Sequence, residues 1–219
     1  MSGVKQVYLF TEGNAEMKKL LGGKGANLAE MTRLGLPVPP GFTVTTEACV
    51  DYYRKGETLW PELEEEVAKA LQALEKQTGK TLGGGENPLL LSVRSGAYFS
   101  MPGMMDTILN LGLNDKTVEA LAKTTGNRPF ALDCYRRFLQ MYADVVLKID
   151  HYHFERALDE VKKMFKVQPG DQLSEEGWEK VIARFKQIIE DNRQKFPQEP
   201  VEQLLNSIKA VFESWNNQR

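Results

Sequence analysis

The chain has 219 residues, 42% of them hydrophobic and 26% charged, with a formal net charge of −2. This is an ordinary soluble globular composition, and its balance gives no electrostatic reason to expect nucleic acid or an anionic membrane as a partner. No run approaches the roughly 18 consecutive apolar residues of a membrane span, and the N-terminus lacks the apolar region of a signal peptide. Residues 7–10 form a short apolar run and are expected as a strand. Leu20-Leu21-Gly22-Gly23-Lys24-Gly25-Ala26-Asn27-Leu28-Ala29-Glu30-Met31 follows. From Ala26 the apolar positions Leu28, Met31 and Leu34 recur at helical spacing, and Gly35 suits a C-terminal cap. Gly22 to Gly25 therefore sit at a helix N-terminus, where free N–H groups and the dipole favour anions and Lys24 adds a point charge. The spacing is not that of a Walker A loop: Lys18 stands where its first glycine belongs, and Gly25 stands where it needs Ser or Thr. A tight turn with a solvated lysine accounts for the same residues.

Pro37-Val38-Pro39-Pro40-Gly41 reads as a rigid turn and 42–45 as a strand. Thr45 or Thr46 can cap a helix over 47–55. Pro61 opens an acidic amphipathic helix to 78, whose Glu62, Glu64, Glu65 and Glu66 read as a solvated face complementing the dipole. Gly83-Gly84-Gly85 leads into an apolar strand over 89–93 that delivers Arg94 to a loop, Ser95-Gly96-Ala97-Tyr98-Phe99-Ser100-Met101-Pro102-Gly103-Met104-Met105-Asp106. A permanent planar cation at a strand end, followed by hydroxyls and unhindered N–H groups, suits an anion. A plain surface arginine is the equal alternative. Residues 108–111 form another short extended segment. After Asn114 strand signals stop, and helices are expected over 115–124, 129–148, 153–165, 175–195 and 201–215.

Other candidates are weaker. Asp106 can orient a loop or bind a metal, and a turn cap is the simpler reading. Met101, Met104 and Met105 can pack on a flat heterocycle or fill a core gap. His151 and His153 lack the third ligand a zinc site needs. Cys49 and Cys134 have no CxxC spacing and read as free thiols of a reducing compartment, which makes the cytoplasm the expected location. Arg136 and Arg137 point about 100° apart on a helix, so at most one faces a given site.

Taken together, these segments resemble the pyruvate, phosphate dikinase family in its N-terminal nucleotide-binding region. The resemblance is carried by residues 20–31, by 37–48 (Pro-Val-Pro-Pro-Gly-Phe-Thr-Val-Thr-Thr-Glu-Ala), and by Ser92-Val93-Arg94-Ser95-Gly96. Residues 100–114 (Ser-Met-Pro-Gly-Met-Met-Asp-Thr-Ile-Leu-Asn-Leu-Gly-Leu-Asn) and Phe196-Pro197-Gln198-Glu199-Pro200 complete it. The first two segments are shared with phosphoenolpyruvate synthases, and 100–114 separates the two families. The resemblance implies an α+β, ATP-grasp-like first subdomain over 1–112 plus 197–219, with an inserted all-helical subdomain over 113–196. It implies that Lys24 and Arg94 meet the phosphates of ATP and that the loop containing Gly103 covers them. Arg137 is implied to assist inorganic phosphate or the γ-phosphate. The family's whole enzyme converts ATP, phosphate and pyruvate to AMP, diphosphate and phosphoenolpyruvate, with ATP carried as its Mg2+ complex and the enzyme expected as a homodimer. The phosphohistidine, the second ATP-grasp subdomain and the pyruvate barrel are expected outside residues 1–219, so no catalytic residue is assigned and the chain by itself is expected to be inactive. A non-catalytic module that pairs with a missing ATP-grasp half is the alternative. Tyr98-Phe99 departs from the small or basic residues usual in the family. These aromatics narrow the phosphate loop, fill an interface, or are surface variation.

Overall fold

The computed structural model describes residues 3–96 and 107–215, a mixed α+β chain with short strands and eight α-helices among them. The described residues pack as two compact units: 3–79, 95–96 and 211–215 form one, and 80–94 and 107–210 form the other.

In the first unit, β1 (Val7–Leu9) runs antiparallel to β2 (Phe42–Val44), with Tyr8 opposite Thr43. Around them lie α1 (Lys18–Arg33), α2 (Thr46–Arg54) and α3 (Pro61–Thr78). The bounds of α3 are those expected, because both ends carry strong local signals. Pro61 starts the helix, where its missing N–H costs nothing, and Gly79 ends it in the left-handed region at φ +67°. Its Leu63, Val67, Leu71 and Leu74 line one buried stripe. The acidic face is not wholly solvated, however. One carboxylate oxygen of Glu66 accepts the N–H groups of Gln6 and Val7, both at 2.8 Å, and so pins the start of β1 to α3.

The apolar spacing in α1 marks the helix correctly but not its buried face. Met31 is 40% and Leu34 61% exposed, while Leu21, Gly25, Ala26 and Ala29 are buried. The reason is steric. A Cβ on Gly25 would lie 2.9 Å from the Thr43 side chain, so the helix approaches β2 through its smallest residues. Thr45 caps α2 by accepting the Ala48 N–H at 3.2 Å.

In the second unit, β3 (Thr81–Leu82) pairs parallel with β4 (Pro88–Leu89), and β5 (Leu91–Arg94) pairs antiparallel with β6 (Thr107–Leu111). The strand expected over 89–93 is thus divided at Leu90 between two sheets. The helices follow: α4 (Thr117–Thr125), α5 (Arg128–Val145), α6 (His151–Met164), α7 (Glu175–Asp191) and α8 (Pro200–Ser214), whose residues from Val211 onward belong to the first unit. Helix α4 starts later than expected because the Asn114 side-chain oxygen Oδ1 accepts the Lys116 and Thr117 N–H groups at 2.9 and 2.7 Å, closing a turn first. Helix α6 starts earlier because Asp150 caps it through the Tyr152 N–H.

Phe196 seats the Phe-Pro-Gln-Glu-Pro segment, with the rings of Phe138 and Tyr142 at 5.5 and 5.3 Å. Fully buried Gln203 accepts the Gly112 N–H and donates to the carbonyls of Leu113 and Pro197, at 3.1, 3.0 and 2.8 Å. That network satisfies the polar ends of two chain segments inside the unit.

Arg128 joins three helices. Its guanidinium binds Glu119 of α4 at 2.8 Å and Glu175 and Glu179 of α7 at 2.6 and 2.5 Å. The hydrogen bond from Arg128 outweighs burial and holds the Glu119 carboxyl below the usual value near 4.5. Its contribution is therefore present above that value and lost as pH falls through the lowered one. The Arg128→Gln variant is expected to lose about 1–2 kcal/mol, the scale of three partly exposed pairs. In urea unfolding at low salt, the difference from wild type should be largest near neutral pH and should shrink below pH ~4. A difference independent of pH and salt would show that the three pairs do not contribute.

Candidate phosphate-binding site

Helix α1 is interrupted at Gly22, whose φ of +73° and ψ of 172° are non-helical. The break separates 18–21 from a second helical stretch, 23–33. Only glycine suits this conformation, and a second constraint applies at the same place. A Cβ on Gly22 would stand 2.2 Å from the carbonyl oxygen of Gly96 and 3.1 Å from its carbonyl carbon. The backbone after Arg94 therefore lies directly on the Gly-Gly-Lys-Gly turn. Gly23, by contrast, has nothing within 4 Å of where its Cβ would be. Lys24 is exposed, with no side-chain partner among the described residues. The helical stretch thus opens on Gly23, with nothing over it, beside an exposed cation, an arrangement suited to an anion on backbone N–H groups.

Ser95 fixes the other side of this contact. It is 3% exposed, and its hydroxyl accepts the indole N–H of Trp215 at 3.1 Å. Neither Trp215 nor the Gly22–Gly96 contact was expected from the sequence. The two partners in the hydrogen bond are 120 positions apart, and no local pattern encodes such a pairing.

The other candidates lie in the second unit. Arg94 is the last residue of β5, opposite Thr107, and its side chain is exposed with no partner among the described residues. Strand β6 packs on α5: the Asn110 side-chain N–H donates to the Cys134 carbonyl at 3.2 Å, and the Leu109 N–H donates to the Met141 sulfur at 3.4 Å. Helix α5 carries Arg136 and Arg137, which the structure separates clearly. Arg136 pairs with Asp133, stands 5.2 Å over the Trp178 ring and is 14% exposed. Arg137 shares the other oxygen of Asp133 at 3.1 Å and is 54% exposed, so it is the arginine that offers donors to solvent. Gly103, Tyr98, Phe99, Met101, Met104, Met105 and Asp106 lie outside the described residues.

Both cysteines are free thiols. Burial pushes the Cys49 thiol up to about 11 and raises Cys134 as well, so neither is poised as a nucleophile. His151 lies 3.5 Å from Asp150. Among the described residues no group of three or more His, Cys, Asp or Glu side chains could hold a metal, and no helix is long and apolar enough to cross a membrane.

The family model described as pyruvate phosphate dikinase, AMP/ATP-binding domain, matches residues 18–59 and 55–219. The pyruvate, phosphate dikinase of Clostridium symbiosum is 53% identical over 217 residues, covering 98% of this chain and 25% of that protein. The Rhizobium meliloti (strain 1021) enzyme is 51% identical over 98% of this chain and 24% of its own length. The chloroplastic enzyme of Mesembryanthemum crystallinum is 48% identical over the full chain and 23% of its own length. The chain thus spans about a quarter of the length of the curated relatives it matches. With a match running from residue 18 to 219 and about half of all positions identical, the chain belongs to the pyruvate phosphate dikinase AMP/ATP-binding domain family.

Proposed function

We propose that this chain binds the phosphates of ATP as the nucleotide-side part of a pyruvate, phosphate dikinase. The observation that carries the reading is the uncovered helix start at Gly23 and Lys24, held in place by the Gly22–Gly96 contact. In this reading Lys24 and Arg94 neutralise phosphate charge while the phosphoryl group departs, which is electrostatic stabilisation with positioning. Arg137 serves inorganic phosphate or the γ-phosphate. Gly103 belongs to the loop that covers the nucleotide. The fold in this reading is ATP-grasp-like, with 1–112 plus 197–219 as the nucleotide-binding subdomain and 113–196 as the helical one.

The reaction of the complete dikinase, ATP, phosphate and pyruvate to AMP, diphosphate and phosphoenolpyruvate, requires a phosphoryl-accepting histidine. His151 and His153, at the start of α6, are not proposed for that role. Magnesium carried with ATP would offset phosphate charge, and no residue of this chain is assigned to it. The remaining partners are the other domains of the dikinase and a second copy of the enzyme, and the proposed compartment is the cytoplasm.

Residues 1–219 alone are expected to bind ATP more weakly than about 1 μM, on the order of −8 kcal/mol, and to form no phosphoenolpyruvate. Either submicromolar affinity by calorimetry or product in a coupled assay would refute this.

Lys24→Met and Arg94→Met should each weaken ATP binding about ten-fold, the scale of one hydrogen bond from a charged donor, with unchanged circular dichroism. Wild-type affinity in both variants would remove the proposed site.

The glycines give a further test. Gly22→Ala meets both a positive φ and the Gly96 carbonyl and should lower stability by at least ~2 kcal/mol. Gly23→Ala should keep or raise stability, by up to about 1 kcal/mol, while weakening ATP binding, because its methyl group covers the helix start. Thermal melts alongside ATP titrations separate the two, and equal behaviour of the variants would contradict the geometry.

A further inference from the structure

A closed circuit of contacts in the first unit surrounds the Gly22 break, and Trp215 completes it. The Thr46 hydroxyl donates to the Lys19 carbonyl at 2.6 Å, tying α2 to the 18–21 stretch just before the break. Helix α2 in turn holds the last turn of α8. The Tyr53 hydroxyl donates to the Phe212 carbonyl at 2.8 Å, the Tyr52 hydroxyl donates to Glu213 at 2.9 Å, and the Tyr52 and Phe212 rings lie 5.4 Å apart. Cys49 adds a contact to the same carbonyl at 3.9 Å. Residues 212–215 are therefore positioned by α2. From that fixed base the Trp215 N–H reaches buried Ser95, and the next residue, Gly96, lies against Gly22.

We propose that Trp215 is a positioning residue for phosphate binding: its indole N–H holds Ser95, and Ser95–Gly96 holds the Gly22 break that aims the start of the 23–33 helix. The proposal rests on the phosphate-binding reading given above. The physical case is that indole has a single donor on a rigid ring, so one bond fixes both distance and direction. The Ser95 hydroxyl is shielded from water, which otherwise would compete for the same acceptor site. Trp215 acts through the backbone, and what it controls is the separation of Gly96 from Gly22. The closeness of that contact leaves no slack: moving residues 95–96 outward removes the wall that holds position 22 in its unusual conformation.

The circuit also supplies a reporter. The chain has three tryptophans, and replacing Trp60 and Trp178 by Phe leaves Trp215 as the sole indole. In residues 1–219, Trp215→Phe and Ser95→Ala should each weaken ATP binding roughly five-fold, the scale of one hydrogen bond, with melting temperatures within a few degrees of wild type. The double variant should bind no more weakly than either single one, because both remove the same bond. In the single-tryptophan protein, saturating ATP should change the Trp215 emission, a signature that a purely structural role does not produce. Lys24→Met is the reference. If Lys24→Met loses affinity while Trp215→Phe and Ser95→Ala bind ATP as wild type does, the positioning role falls and the phosphate site stands. Additive losses in the double variant, or an emission unmoved by saturating ATP, would likewise overturn it. If Lys24→Met also binds as wild type, the phosphate reading fails and takes this inference with it. Should Trp215→Phe fail to fold, Ser95→Ala carries the same comparison from the other end of the bond.

Discussion

The carbonyl oxygen of Gly96 and the α-carbon of Gly22 approach so closely that no side chain fits between them: a methyl group there would sit at 2.2 Å. Much of the geometry around the candidate site follows from that approach. It requires glycine at 22 for space, and the φ of +73° requires it again for conformation. It also breaks α1 at a defined place, so that the second stretch of helix starts at residue 23 and not at 18. A continuous helix through 18–33 would pair its own N–H groups along the whole length and would have no start to offer at Lys24. Interruption of the helix, not its presence, makes the turn suited to an anion. The same logic explains Gly25, where the helix presses against Thr43 with no room for a side chain. Two glycines fit the backbone to its neighbours, and the third, Gly23, leaves the approach open.

The two kinds of group around this turn divide the work by charge. The donors that hold the backbone are neutral and at least half-buried: the Trp215 indole and the Tyr52 and Tyr53 hydroxyls, with the buried Ser95 hydroxyl as one acceptor and the Glu213 carboxylate as another. Burial raises both tyrosines above their ordinary range, so they remain neutral donors at physiological pH. Neutral hydrogen bonds can be buried at small net cost, whereas an isolated buried cation is expensive. The parts offered to a ligand are the reverse. Lys24 and Arg94 are exposed and charged, and in the proposed function they stay solvated until a phosphate replaces the water.

The legible part of the fold was the part written locally. Pro61 and Gly79 delimit α3 because a proline start and a left-handed glycine stop act within one turn of the chain. Periodicity marks the helices after Asn114, but not all of their ends: the Asn114 and Asp150 side chains shift two starts, and α5 and α7 stop three and four residues before 148 and 195, where Lys148 and Arg193 turn left-handed. The glycine turn at a helix start was legible from composition and spacing. Its key contact was not, because Gly96 is remote in sequence and a glycine carries no side-chain signal of what approaches it. Helix α1 shows the same limit. Hydrophobic spacing suggested a face through Leu28, Met31 and Leu34, but the helix packs through Gly25, Ala26 and Ala29, since close approach to β2 favours small residues over large ones. Glu66 reads like its acidic neighbours because nothing nearby in sequence shows the two strand N–H groups it accepts.

The arginines show why family motif and geometry need each other. Arg128 is surrounded by three glutamates, and Arg136 lies between Asp133 and the Trp178 ring. Both have their charge committed to helix packing, and a phosphate would have to displace carboxylates already in place to use either. Arg94 faces no such competition among the described residues. Arg137 falls between: it shares Asp133 with Arg136 at 3.1 Å but keeps 54% of its side chain exposed. One carboxylate divided over two guanidiniums leaves net positive charge at that turn of α5. An anion approaching Arg137 can therefore add to the cluster without first breaking it. A phosphate is favoured where positive charge is present but only partly compensated, and on that criterion the proposed function draws on Arg94 and Arg137 among these four arginines and passes over the two with better-formed ion pairs.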